Sequence, residues 1–142
     1  IPGEIIDVQA GPIPWYTGKE TVEKDKRIFL VGDAAGLTKS TTGGGIITAM
    51  KSAKILAECI ETGASYTNSL KSLKRMLWLH NLIRKVLNNF SDNDYNKLIT
   101  LMNKESIKKI LNTHTREHPA RILAGILLKE PRFLGFAHKL FF

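Results

Sequence analysis

The sequence predicts an α/β front end followed by a mostly α-helical tail. Three observations carry that expectation. Residues 28–31 (IFLV) form an unbroken apolar run stopped by Gly32, the pattern of a strand buried on both faces of a parallel sheet. From about Gly44 to Glu61 the spacing becomes helical, with Ile46, Ala49, Met50, Ala53, Leu56 and Ile60 on one face. Beyond Gly63, apolar residues recur at steps of three and four almost to the last residue.

Each element follows in chain order. Residues 4–9 (EIIDVQ) read as a short strand, and Gly11, Pro12 and Pro14 then punctuate the chain. Residues 17–27 are a polar connector leading into the apolar run. Gly63 is a natural C-terminal stop for the first helix. Tyr66, Leu70, Leu73, Leu77, Ile83, Leu87 and Phe90 predict one long amphipathic helix. Ser91 or Asp92 can cap a following helix over roughly residues 93–102. Two more are expected at about 104–112 and 120–128, and Pro131 can open a last one.

Composition narrows the class. The chain has 142 residues, 43% of them apolar and 24% charged, which suits a folded domain with a modest core. No run reaches the roughly 18 apolar residues of a membrane span, and the first residues lack the layout of a signal peptide. A single cysteine, Cys59, excludes an internal disulfide and fits a reducing, cytoplasmic setting. The net charge of +8 suits a partner carrying phosphate, or simply a solvated helical surface. The chain does not open on methionine, and its central strand lacks flanking strands. It is therefore expected to be a piece of something longer.

The segment VGDAAGLTKSTTGGGI, residues 31–46, concentrates the chemistry. A phosphate-binding P-loop needs lysine directly after its last glycine, whereas Lys39 precedes the three glycines and Ile46 follows them. A GxGxxG dinucleotide fingerprint is absent as well. What remains is strand, Gly-Asp, small residues, loop, three glycines and helix. Gly32, Ala34, Ala35 and Gly36 leave room for a ligand against the backbone. Asp33 is an acceptor suited to sugar or polyol hydroxyls, and would repel a bare pyrophosphate. Gly43, Gly44 and Gly45 lead into a helix N-terminus, which favours a partly negative ligand edge. A flavin, with its ribityl chain, phosphate and pyrimidine edge, meets all three demands.

GDAAGLTKSTTGGGI and the small-residue helix ITAMKSAKILAE after it strongly resemble the second FAD-binding motif of the geranylgeranyl reductase family, within the p-hydroxybenzoate hydroxylase-like flavoproteins. GPIP and RIFLVGDAAG fit the same family. The likeness is specific from about Gly11 to Glu58 and looser in the basic tail. It implies a Rossmann-like FAD-binding fold, with Asp33 on the ribityl hydroxyls and Gly43–Gly45 beside the isoalloxazine ring. Ile46 opens the helix beyond them. The family often has proline where this chain has Ser40, which implies a less rigid loop. The family's N-terminal GxGxxG unit, which binds the ADP half of FAD, is absent from these residues.

The resemblance therefore implies a C-terminal fragment. Residues 1–16 would end a substrate-domain sheet, 17–62 would complete the FAD-binding domain, and 63–142 would form a helical C-terminal region. The activity implied is FAD-dependent saturation of carbon–carbon double bonds in geranylgeranyl lipids or prenyl chains. It needs an electron donor that the sequence does not identify, and no proton donor is assigned. The isolated fragment is expected to bind FAD weakly and to be inactive. A related flavin monooxygenase is the enzymatic alternative. Those enzymes commonly carry histidine at the position of Gly36 and a bulkier residue in place of Gly44. A non-catalytic basic helical module for membrane or nucleic acid would explain the charge but not the glycines. Nucleic acid is not expected, because aromatic residues are not interleaved with the basic ones.

Other features receive plainer readings. HTREH, residues 114–118, matches the H-x-x-E-H spacing of inverted zincins. Pro119 biases His118 away from helical geometry and only Glu130 follows as a third acid, so no metal site is assigned. His80, on the apolar stripe between Leu77 and Ile83, reads as a hydrogen-bonded core residue. Trp78 with Lys71, Lys74, Arg75 and Lys85 reads as a solvated basic face, and is also compatible with peripheral contact to anionic lipid. The apolar end (Leu127, Leu128, Phe133, Leu134, Phe136, Leu140, Phe141 and Phe142) suits helix packing or an apolar substrate tunnel.

Overall fold

The computed structural model describes residues 10–19, 22–25, 27–113 and 118–141. It is mostly helical, with one small sheet. Strands β1 (Glu23–Lys24) and β2 (Ile28–Phe29) pair antiparallel, Glu23 opposite Phe29 and Lys24 opposite Ile28. This departs from the parallel, doubly covered strand expected over 28–31. Within the described residues the apolar run finds only the short hairpin arm as a neighbour, joined through Asp25 at φ 53°. Ile28 is accordingly 57% exposed. The strand expected at 4–9 lies outside the described residues.

After β2 the chain stays extended through Val31 and enters a 3-10 turn, Gly32–Ala35, closed by Gly36. A loop then leads to helix α1 (Ile46–Thr62), which stops at Gly63 with φ 70°. The expected single helix over 66–90 is two helices, α2 (Tyr66–Ser69) and α3 (Lys71–Asn88), because the backbone turns at Leu70 where ψ is −6°. That break lets Tyr66 and Leu70 both bury completely. The Tyr66 hydroxyl donates to the Leu30 carbonyl at 3.1 Å, and its ring meets Phe29 edge-on. Burial holds the phenol pKa above its ordinary value. Leu73, Leu77 and His80 carry the buried stripe along α3 as the spacing predicts.

The front end and these helices share one core, built from Tyr16, Val22, Ala35, Leu37, Cys59, Tyr66, Leu70, Leu73 and Leu77. The remaining helices are α4 (Asp92–Met102), α5 (Glu105–Thr113) and α6 (Pro119–Lys129). Ser91 caps α4 in a reciprocal capping box with Asp94. Hydrogen bonds from Ser91 hold the Asp94 carboxyl well below the usual carboxylate range, helped by Lys139.

The last element is a 3-10 helix, Pro131–Leu140. A three-residue period stacks its side chains in register, and here it puts Phe133, Phe136 and Lys139 along one partly buried edge. Phe136 lies 4.8 Å from Phe90 between ring centres, and Lys139 pairs with Asp94 at 3.0 Å. The terminal aromatic residues therefore serve, at least in part, as ordinary packing. Leu128, Leu134 and Phe141 remain exposed.

The structure decides which face of α1 meets the core. Ile46, Met50 and Ile60 are 79%, 66% and 67% exposed, while Thr48, Ser52 and Cys59 are buried. Most of the apolar stripe of α1 thus faces away from the core, while Thr48, Ser52 and Cys59 pack inward together with Ile55 and Leu56. Both buried hydroxyls are satisfied, Thr48 donating to the Gly45 carbonyl and Ser52 to the Ala49 carbonyl, each at 2.8 Å. Short side chains on that face let the helix approach the Gly32 turn closely.

Candidate functional site

The site is assembled where the Gly32–Ala35 turn meets the start of α1. Gly32 has φ 56°, and a Cβ there would lie 2.8 Å from the Ala49 Cβ, so only glycine fits. Its amide donates to Ser52 Oγ at 3.1 Å, which pins the turn to the helix. The turn is closed by Gly36 N–H to the Asp33 carbonyl (2.9 Å) and Leu37 N–H to the Gly32 carbonyl (3.0 Å).

Asp33 is exposed at the head of this turn. Its Oδ1 accepts a hydrogen bond from the buried Thr38 hydroxyl at 3.0 Å, which fixes the carboxylate. A Cβ at Gly45 would stand 2.6 Å from that same oxygen. The absence of a side chain at Gly45 is therefore what brings the carboxylate against the entrance of α1. No side chain caps this helix, and its first turn holds no acid, so its N–H groups and dipole face outward beside Asp33.

A cleft of about 630 Å³ opens at this point, lined by Ile13, Val31, Gly32, Asp33, Gly43, Gly45, Ile46, Ala49, Met50 and Ala53. Five of the nine residues singled out in the sequence are brought together here: Gly32, Asp33, Gly43, Gly45 and Ile46. The other four are not among the lining residues. Ala34 and Gly44 are exposed nearby, Ala35 is buried in the core, and Gly36 closes the turn. One wall is polar, made of the Asp33 carboxylate and glycine backbone. The other is apolar, made of Ile13 and the exposed face of α1. An amphiphilic, flat ligand suits two such walls.

Sequence reasoning missed Thr38, Ser52 and the place of Met50 and Ala53 in the cleft lining. The signal was present in the spacing: Thr48 and Ser52, four residues apart, share one face of α1, set apart from the apolar stripe. Lys39 lies off the cleft, and its backbone instead closes the loop, donating to the Gly44 carbonyl at 3.2 Å and accepting from Gly43 at 2.9 Å.

The H-x-x-E-H segment falls largely outside the described residues; His118 is described and precedes α6. Glu130, weighed above as a third acid, is engaged by Arg132 (2.5 and 2.9 Å) and by Lys104. Arg132 first, then Lys104, holds its carboxyl down at about 2. This ion-pair cluster ties the α4–α5 junction to the end of α6. No helix among the described residues is long and apolar enough to cross a membrane.

Comparison with known proteins places this geometry in context. The chain is 32% identical over 122 residues to digeranylgeranylglycerophospholipid reductase 3 of Methanosphaera stadtmanae, a match covering 76% of this chain and 30% of that protein. It is 48% identical over 58 residues to the geranylgeranyl diphosphate reductase of Synechocystis sp., covering 41% of this chain and 14% of the relative. The chloroplastic geranylgeranyl diphosphate reductase of Arabidopsis thaliana is 44% identical over 62 residues, covering 44% and 13%. The chain thus spans less than a third of the length of these relatives. No family profile and no solved structure matches it.

Proposed function

With curated relatives named as geranylgeranyl reductases covering part of this chain, we propose that it carries half of an FAD site in a reductase of isoprenoid double bonds. The observation that carries the reading is the Asp33 carboxylate. It is exposed, held by Thr38, and set against Gly45 at the mouth of a helix. A fixed carboxylate beside uncapped N–H groups fits a ligand that offers hydroxyl donors and a negative edge together. A bare phosphate offers only the second.

In this reading Asp33 accepts hydrogen bonds from the ribityl hydroxyls, and Thr38 orients it for that task. Gly43, Gly44 and Gly45 leave the ring edge open to the backbone. Val31, Ile46, Ala49 and Met50 form the apolar wall that excludes water from one side of the cleft. When bound and reduced, the flavin supplies a hydride for one alkene carbon, with a proton added at its neighbour. No proton donor is assigned, and the ADP half of the FAD site is assigned to residues outside this chain.

The test uses the full-length gene product with FAD, a chemical reductant and a geranylgeranyl lipid, followed by mass spectrometry. The expected product is heavier by two hydrogens for each bond saturated. A flavin-loaded protein that leaves the lipid unchanged and instead inserts oxygen would favour a monooxygenase.

A further inference from the structure

We propose that His80, on the helical tail, is a positioning residue for the glycine loop of the cofactor site; the proposal rests on the flavin reading above. The loop between the core and α1 has two unlike halves. Leu37, Thr38, Lys39 and Ser40 are buried, whereas Thr42, Gly43 and Gly44 are exposed. Its base is closed by the paired backbone bonds between Lys39 and Gly43 and Gly44, and by Tyr16 N–H to the Thr38 carbonyl at 3.0 Å. Those bonds fix where the loop begins and ends. Within the exposed half, the Gly44 amide donates to the Thr42 hydroxyl at 3.2 Å, and Gly43, at φ 66°, has no side chain to pack against the core.

Thr41 lies at the boundary of the two halves. Its hydroxyl is 2.7 Å from Nδ1 of His80, which is 39 residues away in sequence and only 6% exposed. One of the two groups donates the shared proton, and either tautomer gives the bond. His80 is held in turn by α3, whose Leu73 and Leu77 are anchored in the core beside Tyr66 and Leu70. A rigid helix therefore fixes the tip of a loop whose next four residues run directly into Gly45 and the Asp33 carboxylate. Orienting the loop in advance spares the ligand the entropy of ordering it.

The experiment measures FAD affinity by titration and thermal midpoint in parallel, on the full-length protein. Thr41→Val keeps the side-chain shape and removes the hydroxyl, while His80→Phe keeps an aromatic ring and removes the nitrogen. Each is expected to weaken FAD binding by about threefold to tenfold, the range of one partly buried hydrogen bond. The double variant is expected to be no weaker than either single one, because both remove the same bond. Thr41→Ser and His80→Asn, which restore a hydroxyl and a group near Nδ1, are expected to recover affinity. If Thr41→Val lowers the midpoint but binds FAD as the parent does, the bond only stabilises the fold and the proposal fails. Additive losses in the double variant overturn it too. A parent protein with no affinity for FAD overturns the flavin reading itself, and the proposal with it.

Discussion

At Gly45 there is no room for a side chain. A methyl group would sit 2.6 Å from Asp33 Oδ1 and 3.3 Å from the Thr38 hydroxyl, so Gly45→Ala must displace the carboxylate or bend the start of α1. FAD affinity is expected to fall roughly tenfold, ~1.4 kcal/mol, with secondary structure by circular dichroism unchanged. Parent-like affinity in that variant would show that the carboxylate's position is not what matters. Nearby, Ser40 is 5% exposed and its hydroxyl has no hydrogen-bond partner among the described residues. A buried unmade hydrogen bond costs stability, so Ser40→Ala is expected to be neutral or stabilising by up to about 1 kcal/mol. Thr38→Val, which strips a fully buried and bonded hydroxyl, is expected to destabilise by about 1 kcal/mol. Denaturant unfolding of the pair checks both signs.

At the scale of elements, the helical tail is tied together by caps and ion pairs more than by a large core. Ser91 begins α4 with both halves of a capping box, and Ser91→Ala is expected to cost about 1 kcal/mol. The Glu130 cluster adds a pH dependence whose sign follows from linkage. Its folded-state carboxyl titrates at about 2, below the ordinary 4.5. A depressed carboxylate contributes stability above the unfolded value and loses it as pH falls through the folded one. Stability is therefore expected to decline between about pH 4.5 and pH 2, and Glu130→Gln to flatten part of that decline while lowering stability at neutral pH. Asp94, held down by Ser91 and Lys139, contributes in the same direction. Thermal melts across that interval measure both effects. An identical acid profile in Glu130→Gln would remove the cluster from the explanation.

Across the whole molecule, what was legible in the sequence is what local rules decide. Gly63 stopped α1, Ser91 capped α4, and the α3 stripe from Leu73 to His80 buried as its spacing required. Two features depend on what lies next to an element, which spacing does not report. Ile28–Val31 reads as an interior strand, yet the described neighbours supply one antiparallel arm of two residues. Helix α1 has an apolar face and a small polar face, and periodicity alone does not say which one meets the core. Thr48 and Ser52 won because their hydroxyls bond the backbone and their size admits the Gly32 turn. The cleft was legible only in outline: the acid, the glycines and His80 as a hydrogen-bonded core residue were, the apolar wall of α1 and the Thr38 and Thr41 bonds were not. Thr38 lies five positions from Asp33, within the same loop, whereas His80 reaches Thr41 from 39 positions away through tertiary packing.

The central claim is that Asp33 and the α1 entrance hold a flavin. It is tested most directly by the FAD content and dissociation constant of the full-length protein, before and after Asp33→Ala. The account expects a yellow parent protein carrying FAD, and an Asp33→Ala variant that keeps its fold but loses most of the bound flavin. A variant that retains full flavin occupancy would contradict the role assigned to Asp33, and a parent with no flavin and no affinity for it would contradict the site.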